Sequence, residues 1–250
     1  MIMSKRLLLA ILLLISHSVF GQQLELPKTE RNETIVFHTG HILSFNQEWM
    51  QAEWVAYELT SLELSGPADR KESSFLQDPS VPAEWQPTPK DYSGSGYSRG
   101  HLIPAGDLKF SQRAMDDSFF MTNICPMFTE VNTGIWERLE RKVRDWAKQY
   151  GRVYIICGPI MGRNVNGKVG KSNLPVPDAF YKAVLIPYEG NYVTIAFYMQ
   201  NNKDPQKKLG DYAISTLELE SILGRKLFDG LDRKTARTIK GMLPLKELGL

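Results

Sequence analysis

Apolar and polar positions change rhythm several times along this chain, and each rhythm predicts an element. In residues 133–150, TGIWERLERKVRDWAKQY, the residues Trp136, Leu139, Val143, Trp146 and Ala147 recur at helical spacing, and Gly151 is placed to stop the helix. AISTLELESILG (213–224) predicts a second helix closed by Gly224, and Arg233 to Lys240 a third, followed by extended chain. WMQAEWVAYELTSLEL (49–64) ends in alternation and predicts a strand from about Trp54. SFFMTNICPM (118–127) reads as a buried strand stopped by Pro126, and RVYIICGPI (152–160) as a central strand. FYKAVLIPY and YVTIAFYMQNN predict a strand pair turned at Glu189, Gly190 and Asn191. Residues 22–34 are polar and read as a mobile lead-in. Residues 65–96 carry Pro67, Pro79, Pro82, Pro87 and Pro89, a long irregular connection of the kind that is functional or disordered.

Strands and helices mix without regular β-α-β alternation, and no glycine-rich phosphate loop is present. The expected class is α+β, a largely antiparallel central sheet flanked by helices. Residues 1–21 join Lys5 and Arg6 to the apolar run LLLAILLLI and then small residues near Gly21, the plan of a secretory signal peptide. The run is too short for a comfortable membrane span of about 20 residues. The expected organisation is therefore a signal peptide over 1–21 cleaved near Gly21, a lead-in over 22–48 and one domain over 49–250. Export to the periplasm or the exterior follows, with no membrane span in the mature chain.

Composition changes the picture little. The 250 residues carry a net charge of +2, so a polyanion site has to come from local clustering of cations. The cysteines, Cys125 and Cys157, lie in apolar segments and fit one disulfide or two buried thiols equally well; no Cys/His spacing resembles a zinc site.

The chemistry concentrates in GYSRGHLIPAGD (96–107). Arg99 and His101 flank Gly100, so a cation and a proton acceptor stand side by side, and the glycine allows close approach of a bulky anion. Asn123 and Asn132 follow. A turn or cap explains either, an N-cap being natural for Asn132, and so does an oxygen ligand for a hard cation. Glu140 and Arg144 are spaced to pair on one helix face. From a regular helix Asn132 and Glu140, about 12 Å apart along the axis, would not both ligate one ion.

SRGHLIPAGD, TNICPM, NTGIWERLERKVR and ICGPI, in this order, resemble the DNA/RNA non-specific endonuclease family, whose site is a ββα-metal (His-Me finger) motif. LPVPDAFYKAVL, AFYMQNN and LELESILGRKLFDGL are similar to its C-terminal half, and RKESSFLQDP to an arginine-bearing segment; the likeness runs from about Trp54 to Leu231. The resemblance implies His101 as general base and Asn132 as the sole direct protein ligand of Mg²⁺, with Mn²⁺ or another divalent ion able to substitute. It implies Glu140 as the residue fixing a metal-bound water, Arg99 and Arg144 as cations on the scissile phosphate, Asn123 as the asparagine beside the base, and Arg70, rather than Lys71, as a further phosphate contact. Trp136 reads as core. Ser98 stands where the family has Asp, and Met127 where it often has Gln.

The implied activity is hydrolysis of DNA and RNA backbones with little sequence preference, leaving 5′-phosphate ends; a homodimer stays open. Basic faces for the backbone would come from Arg138, Arg141, Lys142 and Arg144, and from Lys168 and Lys171. Two other classes compete: a catalytically weak nucleic-acid-binding protein of the same fold, motivated by Ser98 and Met127, and a Cys-His hydrolase using Cys125, which the apolar setting disfavours.

Overall fold

The structure is a computed structural model that describes residues 23–162, 166–205 and 208–250; the expected signal peptide and its cleavage site lie outside the described residues. Strands β1 (Thr34–His38), β2 (His41–Asn46), β3 (Gln51–Thr60), β6 (Arg152–Ile160), β9 (Ala179–Tyr188), β10 (Asn191–Gln200) and β11 (Ala213–Ile214) form a seven-stranded sheet in the order β1-β2-β3-β6-β9-β10-β11, antiparallel throughout. Strands β4 (Ser98–His101) and β5 (Ile124–Met127) make a separate antiparallel pair, as do β7 (Lys168–Val169) and β8 (Leu174–Pro175). The helices are α1 (Gln112–Asp117), α2 (Glu137–Tyr150), α3 (Thr216–Leu223) and α4 (Arg233–Ile239).

The sheet is covered on both faces. Leu139, Val143, Trp146 and Ala147 of α2 join Val55, Ile155, Phe180 and Val184 in the larger core. On the other face Leu219 of α3 and Ile239 of α4 pack with Trp54, Ile156 and Leu185. A strand buried on both faces reads as a continuous apolar run, which is why β6 and β9 were legible. Gly151 ends α2 at φ +84°, and Gly224 caps α3 at φ +63°. Glu189 and Gly190, both at positive φ, turn β9 into β10, and Asn191 is already strand.

Four expectations change. The lead-in over 22–48 is not separate from the domain: β1 and β2 are part of the main sheet, and Leu24 is buried in its core. β3 begins at Gln51, before Trp54. Residues 118–127 are not one strand: a short 3₁₀ turn over Met121–Asn123 precedes β5, and Pro126 lies within β5 opposite Arg99. A two-stranded ribbon has only edges, so proline is tolerated there. The proline-rich connection is ordered by its own polar groups: Gln86 caps Asp78 and Val81, while Asp78 accepts from Thr122 at 2.6 Å and pairs with His38 at 2.9 Å.

Candidate active site

The site is the β4–β5 ribbon laid beside the start of α2. Arg99, His101, Pro104, Gly106, Asn132, Thr133, Glu137, Glu140 and Arg144 converge with Arg70 on one cavity of about 250 Å³. Thr133, Glu137, Glu140 and Arg144 recur at helical spacing, so they share one face. Asn132 joins them for a reason the spacing did not reveal. It is not an N-cap: helical structure already begins at Thr129, and residues 131–136 are wound as a π-helix before α2. The wider winding turns less per residue, which swings Asn132 toward the face of Glu140; such segments are frequent at functional sites.

His101 is gripped from every side. Its ring meets Phe119 edge-on at 4.8 Å and Phe75 at 5.5 Å. Its carbonyl accepts from Trp136 Nε1 at 3.1 Å, which makes Trp136 a fully buried brace. Burial, and then the charge of Arg70, push the imidazole down to about 3, a hydrogen bond with the Arg99 backbone opposing. The ring is therefore neutral at pH 7, and its Nε2 is buried without a partner among the described residues.

Three arginines surround it. Arg70 follows the Asp69 cap of a 3₁₀ turn and lies 5.4 Å from the centre of the Phe119 ring. Its loop is pinned by Met121, which donates to the Leu76 carbonyl at 2.9 Å. Lys71 does not line the cavity. Arg99 stacks 5.0 Å from the Phe75 ring and donates to the Pro89 carbonyl at 2.9 Å, while its buried Nε has no partner among the described residues. Arg144 pairs not with Glu140 but with Asp107, at 2.9 Å; Asp107 also accepts from Tyr57 at 3.0 Å. Burial raises the Asp107 carboxyl, with Arg144 foremost among the groups pulling it back.

That bridge leaves Glu140 without a hydrogen bond or ion pair to a described residue, and burial raises its carboxyl to about 7, with the charge of Lys182 opposing. The Asn132 carboxamide likewise has no hydrogen bond to a described residue. Two free oxygen donors on one cavity fit a hard cation, which keeps most of its waters and takes one or two protein oxygens. Among the described residues no group of three or more His, Cys, Asp or Glu is arranged as a metal cage.

Some candidates take other places. Asn123 is fully buried and does not line the cavity; its amide donates to the Ile103 and Ser118 carbonyls, and its oxygen accepts from Ile103 N at 3.0 Å. Its carboxamide ties the chain after His101 to the end of α1 at Ser118. Gly100 does not clear room for an anion: a Cβ there would lie 2.8 Å from Met127 Cβ across the ribbon. Ser98, opposite Met127, contacts Thr129 at 2.9 Å, and neither departure lines the cavity. Of the cations expected on basic faces, Arg141 pairs with Glu137 and Lys142 donates to the Gly249 carbonyl, while Lys168 and Lys171 are exposed. Cys125 and Cys157 are buried free thiols, and burial pushes Cys125 well up, which removes it as a nucleophile. Asp107, Tyr57, Glu137 and Lys182 were missed. The signal for Asp107 was its place at the end of the motif, and for Lys182 a lone cation in an apolar strand.

The model of the DNA/RNA non-specific endonuclease family matches residues 23–234. The chain is 36% identical over 211 residues to mitochondrial nuclease EXOG of Danio rerio, covering 79% of this chain and 62% of the relative. It is 35% identical over 208 residues to nuclease C1 of Cunninghamella echinulata var. echinulata, covering 78% and 82%. Against mitochondrial endonuclease G of Homo sapiens identity is 33% over 171 residues, covering 65% and 58%. A solved chain from the crystal structure of an EndoG/EndoGI complex shares the fold, with a TM-score of 0.78 at 24% identity, over 89% of this chain and 95% of that one. The chain spans about three fifths of the length of the EXOG relatives it matches.

Proposed function

The chain belongs to the DNA/RNA non-specific endonuclease family, and from that premise we propose that it is a metal-dependent endonuclease hydrolysing phosphodiester bonds of both DNA and RNA. The observation that carries this reading is the convergence of a neutral, unpartnered imidazole, three arginines and two free oxygen donors on one cavity.

Arg70, Arg99 and Arg144 bind and orient the scissile phosphate, guanidinium forks being matched to its oxygens. Asn132 would hold a divalent cation directly and Glu140 would hold water bound to it, with Mg²⁺ the ion these oxygens suit and Mn²⁺ a substitute. When bound, it would offset charge on a non-bridging oxygen and on the leaving O3′. His101 takes a proton from the attacking water. In the free protein its basicity is low, because it is buried and faces Arg70. A phosphate anion against the arginines offsets the Arg70 charge, the lesser of these two causes, and so moves the imidazole upward. Fixed donors aimed at developing charge supply much of the remaining acceleration. Every group addresses backbone, so sequence preference is weak, and in-line attack leaves a 5′-phosphate.

The binding-protein alternative gains no support, since neither Ser98 nor Met127 reaches the cavity. Export is part of the proposal: transit peptides are amphipathic and arginine-rich, whereas LLLAILLLI is uncharged. Among the described residues no helix is long and apolar enough to cross a membrane. A homodimer enters no step of this chemistry. The test is plasmid DNA and structured RNA incubated with purified protein across a metal series and EDTA, with end-group analysis. Cleavage of both with 5′-phosphates, abolished by EDTA, is expected; cleavage of neither in any metal overturns it.

A further inference from the structure

The sheet face beneath the cavity carries a lysine that this chemistry does not use. Lys182 stands in β9 between Tyr181 and Ala183, on the face shared with Phe180 and Val184, and is fully buried. A buried ammonium is costly unless its surroundings compensate it. Its Nζ donates to the Leu102 carbonyl at 3.1 Å and lies 4.7 Å from the centre of the Trp136 ring. Leu102 directly follows His101, and its carbonyl also accepts from Cys157 Sγ at 3.3 Å. The neighbouring carbonyls are held in the same way: that of His101 accepts from Trp136 and that of Ile103 from Asn123.

Two buried donors, the Lys182 ammonium and the Cys157 thiol, thus meet on one carbonyl. We propose that Lys182 is a positioning residue that anchors the carbonyl next to His101. It touches no substrate, because Trp136 and the Leu102 carbonyl stand against its ammonium.

The inference rests on the hydrolytic reading. The experiment is a double-mutant cycle of Lys182→Met and Cys157→Ala, followed by urea denaturation, with plasmid-cleavage kinetics on wild type and Lys182→Met. Lys182→Met should lower kcat by about tenfold or more, the usual range for residues that support a site. KM for plasmid should stay within about twofold, since no substrate contact is lost. The shift in denaturation midpoint caused by Lys182→Met should grow in the Cys157→Ala background, where the buried carbonyl loses its other donor. A kcat within about twofold of wild type, or equal midpoint shifts in both backgrounds, overturns the proposal. Should Lys182→Met fail to fold, Lys182→Gln, which keeps a donor for the carbonyl, should stay within about twofold of the wild-type kcat, and a tenfold loss there overturns the proposal. Failure of the wild type to cut would count against the proposed function, while the midpoint cycle still judges Lys182.

Discussion

Replacing Asp107 by Asn tests whether Arg144 works as a placed cation or merely as local positive charge. The carboxylate is buried, at 1% side-chain exposure, against 20% for Arg144, and holds the guanidinium at 2.9 Å. Tyr57 braces it from behind at 3.0 Å. Asn preserves the shape and one acceptor but removes the charge. Breaking a fully buried pair costs about 3–5 kcal/mol. Here Arg144 reaches water and the asparagine oxygen can still accept, so a stability loss of about 1–2 kcal/mol is expected. Cleavage should suffer more than folding. A freed guanidinium loses its aim at the phosphate, and loss of such support typically costs about 10- to 100-fold, or roughly 1.4–2.7 kcal/mol of barrier. The assay is the initial rate of plasmid nicking at saturating metal, alongside a urea midpoint. The singles Asp107→Asn and Arg144→Ala should be strongly non-additive, because one acts through the other. A double variant losing the full product of the two single losses would refute this, as would an Asp107→Asn rate within about twofold of wild type.

Three further outcomes follow from the same geometry. Glu140 titrates near 7 without metal against 4.5 ordinarily, so cation binding must displace a proton, and calorimetry should show Mg²⁺ affinity falling about tenfold per pH unit below 7; Glu140→Gln should abolish the trend. His41 and His101 are both held near 3 against 6.5, so the unfolded chain binds more protons between those values, and fold stability should be lost as pH falls from 6.5 toward 3; His41→Gln should flatten that slope in urea titrations across pH, and an unchanged slope would contradict its cause. Gly100→Ala forces a Cβ to 2.8 Å from Met127 Cβ and should cost about 1–3 kcal/mol of stability by thermal unfolding, as overpacking does; no loss would show that the ribbon can open.

What the sequence made legible was what depends on local rhythm. The α2 stripe, the doubly buried β6 and the β9–β10 pair follow from side chains near one another along the chain. The stretches bearing His101, Asn132 and Glu140 were also readable, and β4 and the segment leading into α2 bring these three residues to one cavity. The rest depends on long-range partners. Residues 34–46 alternate too briefly to announce a hairpin, yet they complete the sheet by pairing with β3. Arg144 was expected to face Glu140 at four-residue spacing, but a buried Asp107 held by Tyr57 from another strand takes it. The helix start was misjudged because Asn132 has good capping chemistry, whereas the π-wound segment aims it into the cavity. Asn123 shows that a sequence motif can contain a residue whose side chain holds the backbone of a nearby segment, here Ile103.

The most direct measurement is the metal-saturated rate of supercoiled plasmid nicking by wild type, His101→Ala and Asn132→Ala, each first shown to be folded by circular dichroism. Wild type should nick and linearise the plasmid; His101→Ala should fall by about 10²–10⁴-fold, the span of general base catalysis. Asn132→Ala should need far more metal to reach any given rate. A folded His101→Ala that nicks as fast as wild type would contradict the assignment of the imidazole as the base.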